Sequence, residues 1–101
     1  MTQSSNKFKQ TINQVFASVN NVMRMCHEGV AIASMDEQTY TYSLGDKHVT
    51  VTACVACEDF EYVPQFTIAA LDGDVEKLTV YSAGYMECAY IYAAICDALR
   101  V

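Results

Sequence analysis

The chain of 101 residues has little positive charge: six Lys and Arg residues stand against twelve Asp and Glu residues, and the net charge is −6. This balance disfavours direct binding to nucleic acid phosphates or to anionic membranes, because both carry charge of the same sign. Long hydrophobic runs are also missing, since the longest, residues 88 to 96, is about half of the roughly 20 residues that a membrane span needs. We therefore expect a soluble protein whose partners carry positive charge.

Motifs that bind phosphates, cofactors or metals are also missing. None of the four glycines belongs to a phosphate-cradling loop or a dinucleotide fingerprint. Cys54 and Cys57 have the spacing of a metal or redox pair, but no second pair follows and the motif lies in a predicted strand, so we expect core thiols. Ser43, His48 and Asp46 supply the residue types of a catalytic triad, yet neighbours on an exposed strand offer neither an oxyanion hole nor a pocket. We predict no enzymatic activity, no metal and no cofactor.

The cysteines and the N-terminus indicate a cellular compartment. The five cysteines are an odd number, and the polar first residues lack the apolar core of a signal peptide. This combination indicates reduced thiols and a cytoplasmic location. A chain of this length is expected to form one domain, residues 1 to 101, with an ordinary hydrophobic core.

A β-hairpin is the clearest local pattern in the sequence. Residues 38 to 44 and 47 to 55 alternate in polarity around Gly45 and Asp46, which predicts a two-residue type II′ turn. The turn sets the register, so Tyr42 is expected opposite Val49. One face carries Tyr, Leu and Val side chains and is predicted to enter the core, whereas the other is rich in threonine and is predicted to stay open.

Two helices are predicted, one near each end of the chain. Apolar residues early in the chain recur every three or four positions, which is typical of an amphipathic helix over about residues 5 to 28. Gly29 is expected to end this helix in a left-handed conformation. Ser82 is expected to cap a second helix, from about Ala83 to Leu99.

Two further strands are expected at residues 65 to 71 and 77 to 81, and residues 30 to 33 are expected to pack as an extended segment. Pro64 lacks an N–H, so its position must be a strand start, an edge or a bulge. Short connections predict an antiparallel meander. The predicted fold is α+β, a two-layer sandwich of order αββββα with both helices on the Tyr40 face of the sheet.

Alternate turns of a meander lie at opposite ends of the sheet, so the acidic residues are predicted to gather at two rims. The aromatic-acidic rim consists of Asp36, Glu37, Glu58, Asp59, Phe60, Glu61 and Tyr62. The opposite rim consists of Asp46, Asp72, Asp74 and Glu76, and two lysines partly offset its charge. Aromatic contact area beside carboxylates suits a basic protein surface, so the aromatic-acidic rim is the predicted partner-binding site. The alternative is that these carboxylates only keep the protein soluble.

The predicted C-terminal helix is apolar nearly all round, which indicates burial or a covering partner. One stripe is predicted to pack on the sheet and consists of Cys88, Ile91, Ile95 and Leu99. A second flank remains. Tyr85, Ala89, Tyr92 and Cys96 form this flank, which we interpret as the candidate interface of a homodimer.

In size, acidity, absence of motifs and α+β layout, the chain resembles phage-borne anti-CRISPR and anti-restriction proteins and bacterial toxin-immunity proteins. The resemblance implies an inhibitor that mimics nucleic acid and docks on a basic surface of a larger protein, such as part of a nucleic-acid-handling complex. One alternative is a homodimeric chaperone or adaptor that binds an extended client by strand addition, because small acidic secretion chaperones are similar in their helix-then-sheet beginning. Another is a small enzyme or ligand-binding domain with a cavity between sheet and helices around Tyr40, Tyr42 and Cys88.

Overall fold

The computed structural model describes residues 2–58, 61–72, 75–82 and 87–101. It begins with helix α1 (Thr2–Cys26) and ends with helix α2 (Glu87–Leu99). Between them lie five strands: β1 (Ala31–Asp36), β2 (Thr39–Leu44), β3 (Lys47–Glu58), β4 (Glu61–Asp72) and β5 (Val75–Ser82). The strands form one sheet in the order β1-β2-β3-β4-β5, and every neighbouring pair is antiparallel. The predicted α+β meander flanked by two helices is confirmed.

The sheet contains the four expected strands and one more. The segment expected to pack as an extended chain is strand β1, which pairs with β2 from Ala31 opposite Ser43 to Asp36 opposite Thr39. The register shifts between Ser34 and Asp36, so this strand carries a bulge near its end. Strand β1 is one edge of the sheet, because only β2 is hydrogen-bonded to it among the described strands.

The central hairpin has the predicted register and turn. Tyr42 lies opposite Val49, and Leu44 lies opposite Lys47. Gly45 has a φ of 62°, whereas Asp46 does not have a positive φ. These are the φ signs of a type II′ turn, in which only the first loop residue requires glycine.

Both helices cover the face of the sheet that carries Tyr40 and Tyr42, as predicted. Phe16 of α1 lies at the centre of this layer, with ring centroids 4.5 Å from Tyr40 and 5.6 Å from Phe66. The core comprises Ile12, Phe16, Val19, Met23, Tyr42, Val49, Val51, Ala53, Phe66, Ile68, Ile91, Ile95 and Leu99. The threonine-rich face lies on the other side, because side chains alternate along each strand.

The predicted helix boundaries are only partly correct. Helix α1 ends at Cys26, and Gly29 does not have the positive φ that we expected of it. The reason is the turn that follows, in which the Val30 amide donates to the His27 carbonyl at 3.1 Å, so the helix ends without a left-handed residue. Ser82 is the last residue of β5, and the predicted helix start at Ala83 lies outside the described residues.

Strands β3 and β4 run well past their neighbours. Pairing with β2 stops at Thr52, and pairing with β5 stops at Gln65, while β3 and β4 stay paired as far as Glu58 opposite Glu61. A two-stranded ribbon therefore projects beyond Cys54 and Gln65 by four residues, or about 13 Å at roughly 3.3 Å per residue. Pro64 lies in this ribbon just past the end of β5, so its missing N–H is at an unpaired edge, one of the positions predicted for it.

Candidate functional site

A cleft of about 700 Å³ lies between the first half of α1 and the turn that joins β1 to β2. Its lining residues are Ile12 and Asn13 from the helix and Ser34, Asp36, Glu37, Gln38 and Tyr40 from the sheet. The cleft exists because Ile12 and Phe16 anchor the helix over the sheet, while the turn lies beyond the last core contact. Its volume falls in the range of about 300 to 1,000 Å³ that is typical of ligand sites.

Local hydrogen bonds hold the acidic end of the cleft in place. The Gln38 amide donates to Asp36 Oδ1 at 2.7 Å, and the Ser34 hydroxyl donates to the Asp36 carbonyl at 3.0 Å. The first bond closes an Asx turn, the local structure that favours Asp before a tight connection. Asp36 therefore shapes the turn as well as supplying charge to the cleft.

The turn between β1 and β2 carries two negative charges. Asp36 and Glu37 are both exposed. Neither forms an ion pair with any side chain in the part of the chain that the structure describes. Two carboxylates at one end of an open cleft favour the binding of a cation.

Tyr40 gives the cleft an aromatic wall. Its ring is half-buried and tilts against Phe16, so packing holds the ring in place. A guanidinium or ammonium group gains from an aromatic ring as well as from carboxylates. The combination is thus suited to an Arg or Lys side chain.

The structure separates the aromatic-acidic rim into two parts. Asp36 and Glu37 lie at the cleft, whereas Glu58 and Glu61 face each other in register at the end of the projecting ribbon, about 20 Å further along the strand direction. Tyr62 is placed by its backbone in the same ribbon, opposite Cys57. Asp59 and Phe60 lie outside the described residues. One partner surface would have to be large to contact both parts.

The opposite rim lies at the other end of the sheet, as the meander predicts. Asp46 is exposed in the β2–β3 turn, and Glu76 is exposed near the start of β5. Asp72 ends β4 opposite Lys47, so a basic residue is paired in register with this rim. Asp74 lies outside the described residues.

A second polar cluster joins the end of α1 to α2. His27 Nε2 lies 2.8 Å from the Tyr92 hydroxyl and 3.7 Å from Cys96 Sγ. The hydrogen bond with Cys96, together with burial and a contact with Cys26, raises the pKa of Tyr92 to about 12. These residues are about 65 positions apart in sequence, so no local pattern indicates their meeting.

This cluster bears on the predicted homodimer interface. Tyr92 and Cys96 are half-buried and contact His27 within the same chain, while Ala89 is exposed. Tyr85 lies outside the described residues. The homodimer interface stays a prediction.

Two local arrangements contain the residue types of a catalytic or metal site. Ser43 Oγ and His48 Nδ1 are 3.1 Å apart on an exposed surface, but Asp46 makes no hydrogen bond to His48. Strand β3 is continuous through Cys54 and Cys57, and positions three apart on a strand lie on opposite faces. The core placement predicted for Cys54 is wrong, because strand alternation puts this half-buried thiol on the threonine-rich face, 3.7 Å from Gln65 Oε1.

Among the described side chains, no group of three or more His, Cys, Asp or Glu residues is arranged to hold a metal ion. The chain matches no protein-family model, no curated protein sequence and no solved structure. Within the described ranges, neither helix is long and apolar enough to span a bilayer. The function must therefore be inferred from the chemistry of the protein's own surface.

The sequence analysis names Asp36 and Glu37 for the predicted rim and Tyr40 for an alternative cavity, but not the other residues of the cleft. Asn13 lies on the polar face of α1, where nothing in the sequence distinguishes it from its neighbours. Gln38 has a detectable signal, since Asp two residues before it at a tight connection is typical of an Asx turn. The cleft itself depends on where α1 crosses the sheet, which the sequence pattern does not specify.

Proposed function

We propose that the protein is a small, non-enzymatic binding module that docks on a basic surface of a larger protein. The observation that carries this proposal is the cleft lined by Asp36, Glu37 and Tyr40, whose carboxylates make no ion pair among the described side chains. Carboxylates without an ion pair among those side chains can be paired by a partner. The net charge of −6 favours the approach of such a partner from a distance.

The same chemistry supports an inhibitory role. Carboxylates held on a folded scaffold can take the place of phosphates on a nucleic-acid-binding surface and so block it. This is the mode implied by the resemblance to anti-CRISPR, anti-restriction and toxin-immunity proteins. We propose that the partner is a cytoplasmic protein, such as part of a nucleic-acid-handling complex.

The proposal is tested with two variants of equal charge change used as bait at low salt. Asp36→Asn with Glu37→Lys changes the cleft by +3, and Asn keeps an oxygen for the Gln38 amide. Asp46→Asn with Glu76→Lys makes the same change at the opposite rim. We expect the wild type and the second variant to retain the same basic protein from a host lysate, and the first variant to lose it.

The captured protein then allows a direct measurement of inhibition. Its binding to labelled nucleic acid should fall as the wild type is added, with the opposite-rim variant acting like the wild type and the cleft variant having little effect. Equal competition by both variants would remove the cleft from the docking site. If the wild type does not displace nucleic acid from its partner, the inhibitory role is wrong.

A further inference from the structure

We infer that the cleft receives an extended, basic peptide segment of the partner, which adds as a sixth, antiparallel strand to the free edge of β1. This inference rests on the proposed function and specifies its partner. It combines three observations: an edge strand with unpaired backbone groups, a cleft beside that edge, and carboxylates at the end of the cleft.

The backbone groups at the free edge follow from the pairing of the sheet. The Ala53 amide donates to the Gln38 carbonyl at 2.7 Å, so the hydrogen-bonded pairs between β2 and β3 involve even-numbered residues of β2. Odd-numbered residues of β2, such as Thr41, therefore bond to β1, because bonding alternates along an antiparallel strand. Thr41 lies opposite Ala33. The N–H and C=O groups of Ile32 and Ser34 consequently point away from the sheet.

The side chains of β1 leave this edge accessible. Residues 31 to 35 carry no charge and no proline, the two features that most often block pairing at an edge strand. All of them except Ile32 are exposed. The bulge next to Asp36 lies at the end of the strand and leaves Ile32 and Ser34 in regular pairing. The edge is thus open to an added strand.

The cleft determines which side chains such a strand would carry. Ser34 pairs with Tyr40, and Ile32 pairs with Tyr42, so both β1 residues lie on the helix-covered face. In an antiparallel addition, the peptide residues hydrogen-bonded to Ile32 and Ser34 have their side chains on this same face. These side chains enter the space below α1, where Asp36, Glu37 and Tyr40 line the cleft. Arg or Lys at alternate positions is the complementary choice.

A second copy of the chain is a poorer occupant of this edge. It would bring another net charge of −6 and would supply no cation to the carboxylates, since residues 30 to 36 contain neither Lys nor Arg. Like-charged molecules repel at close approach unless other contacts offset the repulsion. Charge complementarity therefore favours a basic peptide.

The test uses a blocked hexapeptide of alternating Arg and Val as the probe, with the full-length protein. Two analogues carry backbone N-methyl groups, one on the Arg residues and the other on the Val residues. Methylation removes a hydrogen-bond donor without changing the charge. We expect the parent and the Val-methylated peptide to bind with similar Kd, and the Arg-methylated peptide to bind about tenfold more weakly, because its blocked donors face β1.

Amide hydrogen exchange supplies a second readout on the protein side. Exchange of the Ile32 and Ser34 amides should slow about tenfold or more when the parent peptide binds. The Ala33 amide should change little, because it is already bonded to β2, and it serves as an internal control. Asp36→Asn with Glu37→Gln should weaken the peptide about tenfold, whereas Asp46→Asn with Glu76→Gln should not.

The outcomes separate this inference from the proposed function. Strand addition would be overturned if both methylated analogues bound equally and the Ile32 and Ser34 amides stayed unprotected. Weaker peptide binding by the cleft variant would in that case still support electrostatic docking. Selection between the analogues without any effect of the cleft variant would support the edge and count against the acidic site. Protection of both amides without peptide, in a dimer seen by sedimentation, would identify a second copy as the occupant and overturn the inference. The absence of any peptide binding would also overturn the inference. The proposed function would still be tested by the nucleic-acid competition assay with the captured partner.

Discussion

A buried hydrogen bond connects the sheet to α1. The Tyr42 hydroxyl donates to Asn20 Oδ1, and both side chains are almost completely buried, at 0% and 4% exposed. Burial of the phenol raises the pKa of Tyr42 well above its usual value, and the nearby Tyr40 contributes a smaller increase. Because polar groups in a core need partners, this pair also specifies how the helix sits on the sheet.

Tyr42→Phe tests that bond. Removing the hydroxyl leaves the Asn20 oxygen buried without its donor, which should lower the free energy of unfolding by about 1 to 3 kcal/mol. The double variant Tyr42→Phe with Asn20→Leu should recover part of the loss, because both polar partners are gone. Tyr90→Phe, at a position 56% exposed, is the matched control and should change stability by less than about 0.5 kcal/mol. Urea denaturation measures the free energy of unfolding of all three variants. An unchanged free energy of unfolding in Tyr42→Phe would contradict the prediction.

We also predict that the free energy of unfolding falls in alkali, because Tyr42 and Tyr92 have raised pKa values. Their folded-state pKa values are raised from 10.0, that of Tyr92 to about 12, so the folded protein keeps protons that the unfolded chain releases. Their contribution is complete below pH 10, and the free energy of unfolding should fall as the pH rises from 10 through 12. Urea midpoints measured across this range, with tyrosinate absorbance to follow titration, test it. Uniform titration of all tyrosines near pH 10 would show that neither group is protected.

At the scale of elements, two glycines at turns have different roles. Gly45 has φ 62°, and a Cβ added there would meet nothing within 4 Å, so any cost of substitution comes from the backbone. Gly29 lacks a positive φ, and its added Cβ would lie 3.6 Å from Leu44, an ordinary contact. Substitutions at these two glycines therefore distinguish the effect of backbone strain from that of side-chain crowding.

Gly45→Ala should therefore destabilise the protein by about 1 to 2 kcal/mol, because the turn forces a left-handed conformation on an L residue. Gly29→Ala should be neutral or raise stability by up to about 1 kcal/mol, since alanine has fewer unfolded conformations to lose. Thermal and urea denaturation of both variants give the comparison. A similar loss in both would indicate that the φ of Gly45 is not what matters.

Strands β3 and β4 are longer than predicted, and this difference divides the predicted aromatic-acidic rim. The strands expected from the sequence end at residue 55 and resume at residue 65, but pairing continues to Glu58 and Glu61. Strand ends depend on cross-strand partners as well as on local composition. The additional residues place Glu58 and Glu61 away from Asp36 and Glu37, and this separates the two parts of the aromatic-acidic rim.

At the scale of the whole molecule, the net charge of −6 predicts a steep dependence of binding on salt. Raising the ionic strength from about 0.01 to 0.15 M shortens the screening length from about 30 to 8 Å. We expect the association rate of the Arg and Val hexapeptide to fall about tenfold over this range, with a smaller change in dissociation rate. Asp36→Asn with Glu37→Gln should make the dependence shallower. Stopped-flow measurements at several salt concentrations test this, and a rate independent of salt would rule out electrostatic steering.

Sequence patterns alone predict the α+β class, the meander, the register of the central hairpin and the face that α1 and α2 cover. These features follow from alternation within strands, helical spacing and short connections, all of which act between residues close in the chain. The same patterns place Asp36 and Glu37 at the connection that leads into the hairpin.

Only the tertiary structure decided how the acidic residues are grouped and what lies beside them. The cleft needs α1 to cross the sheet at Ile12, the free edge needs β1 to pair with β2, and the contact of His27 with Tyr92 needs the two helices to meet. Each depends on residues distant in sequence, whose approach is set by packing of the whole core. Local patterns specify elements, but long-range packing sets the distances between them.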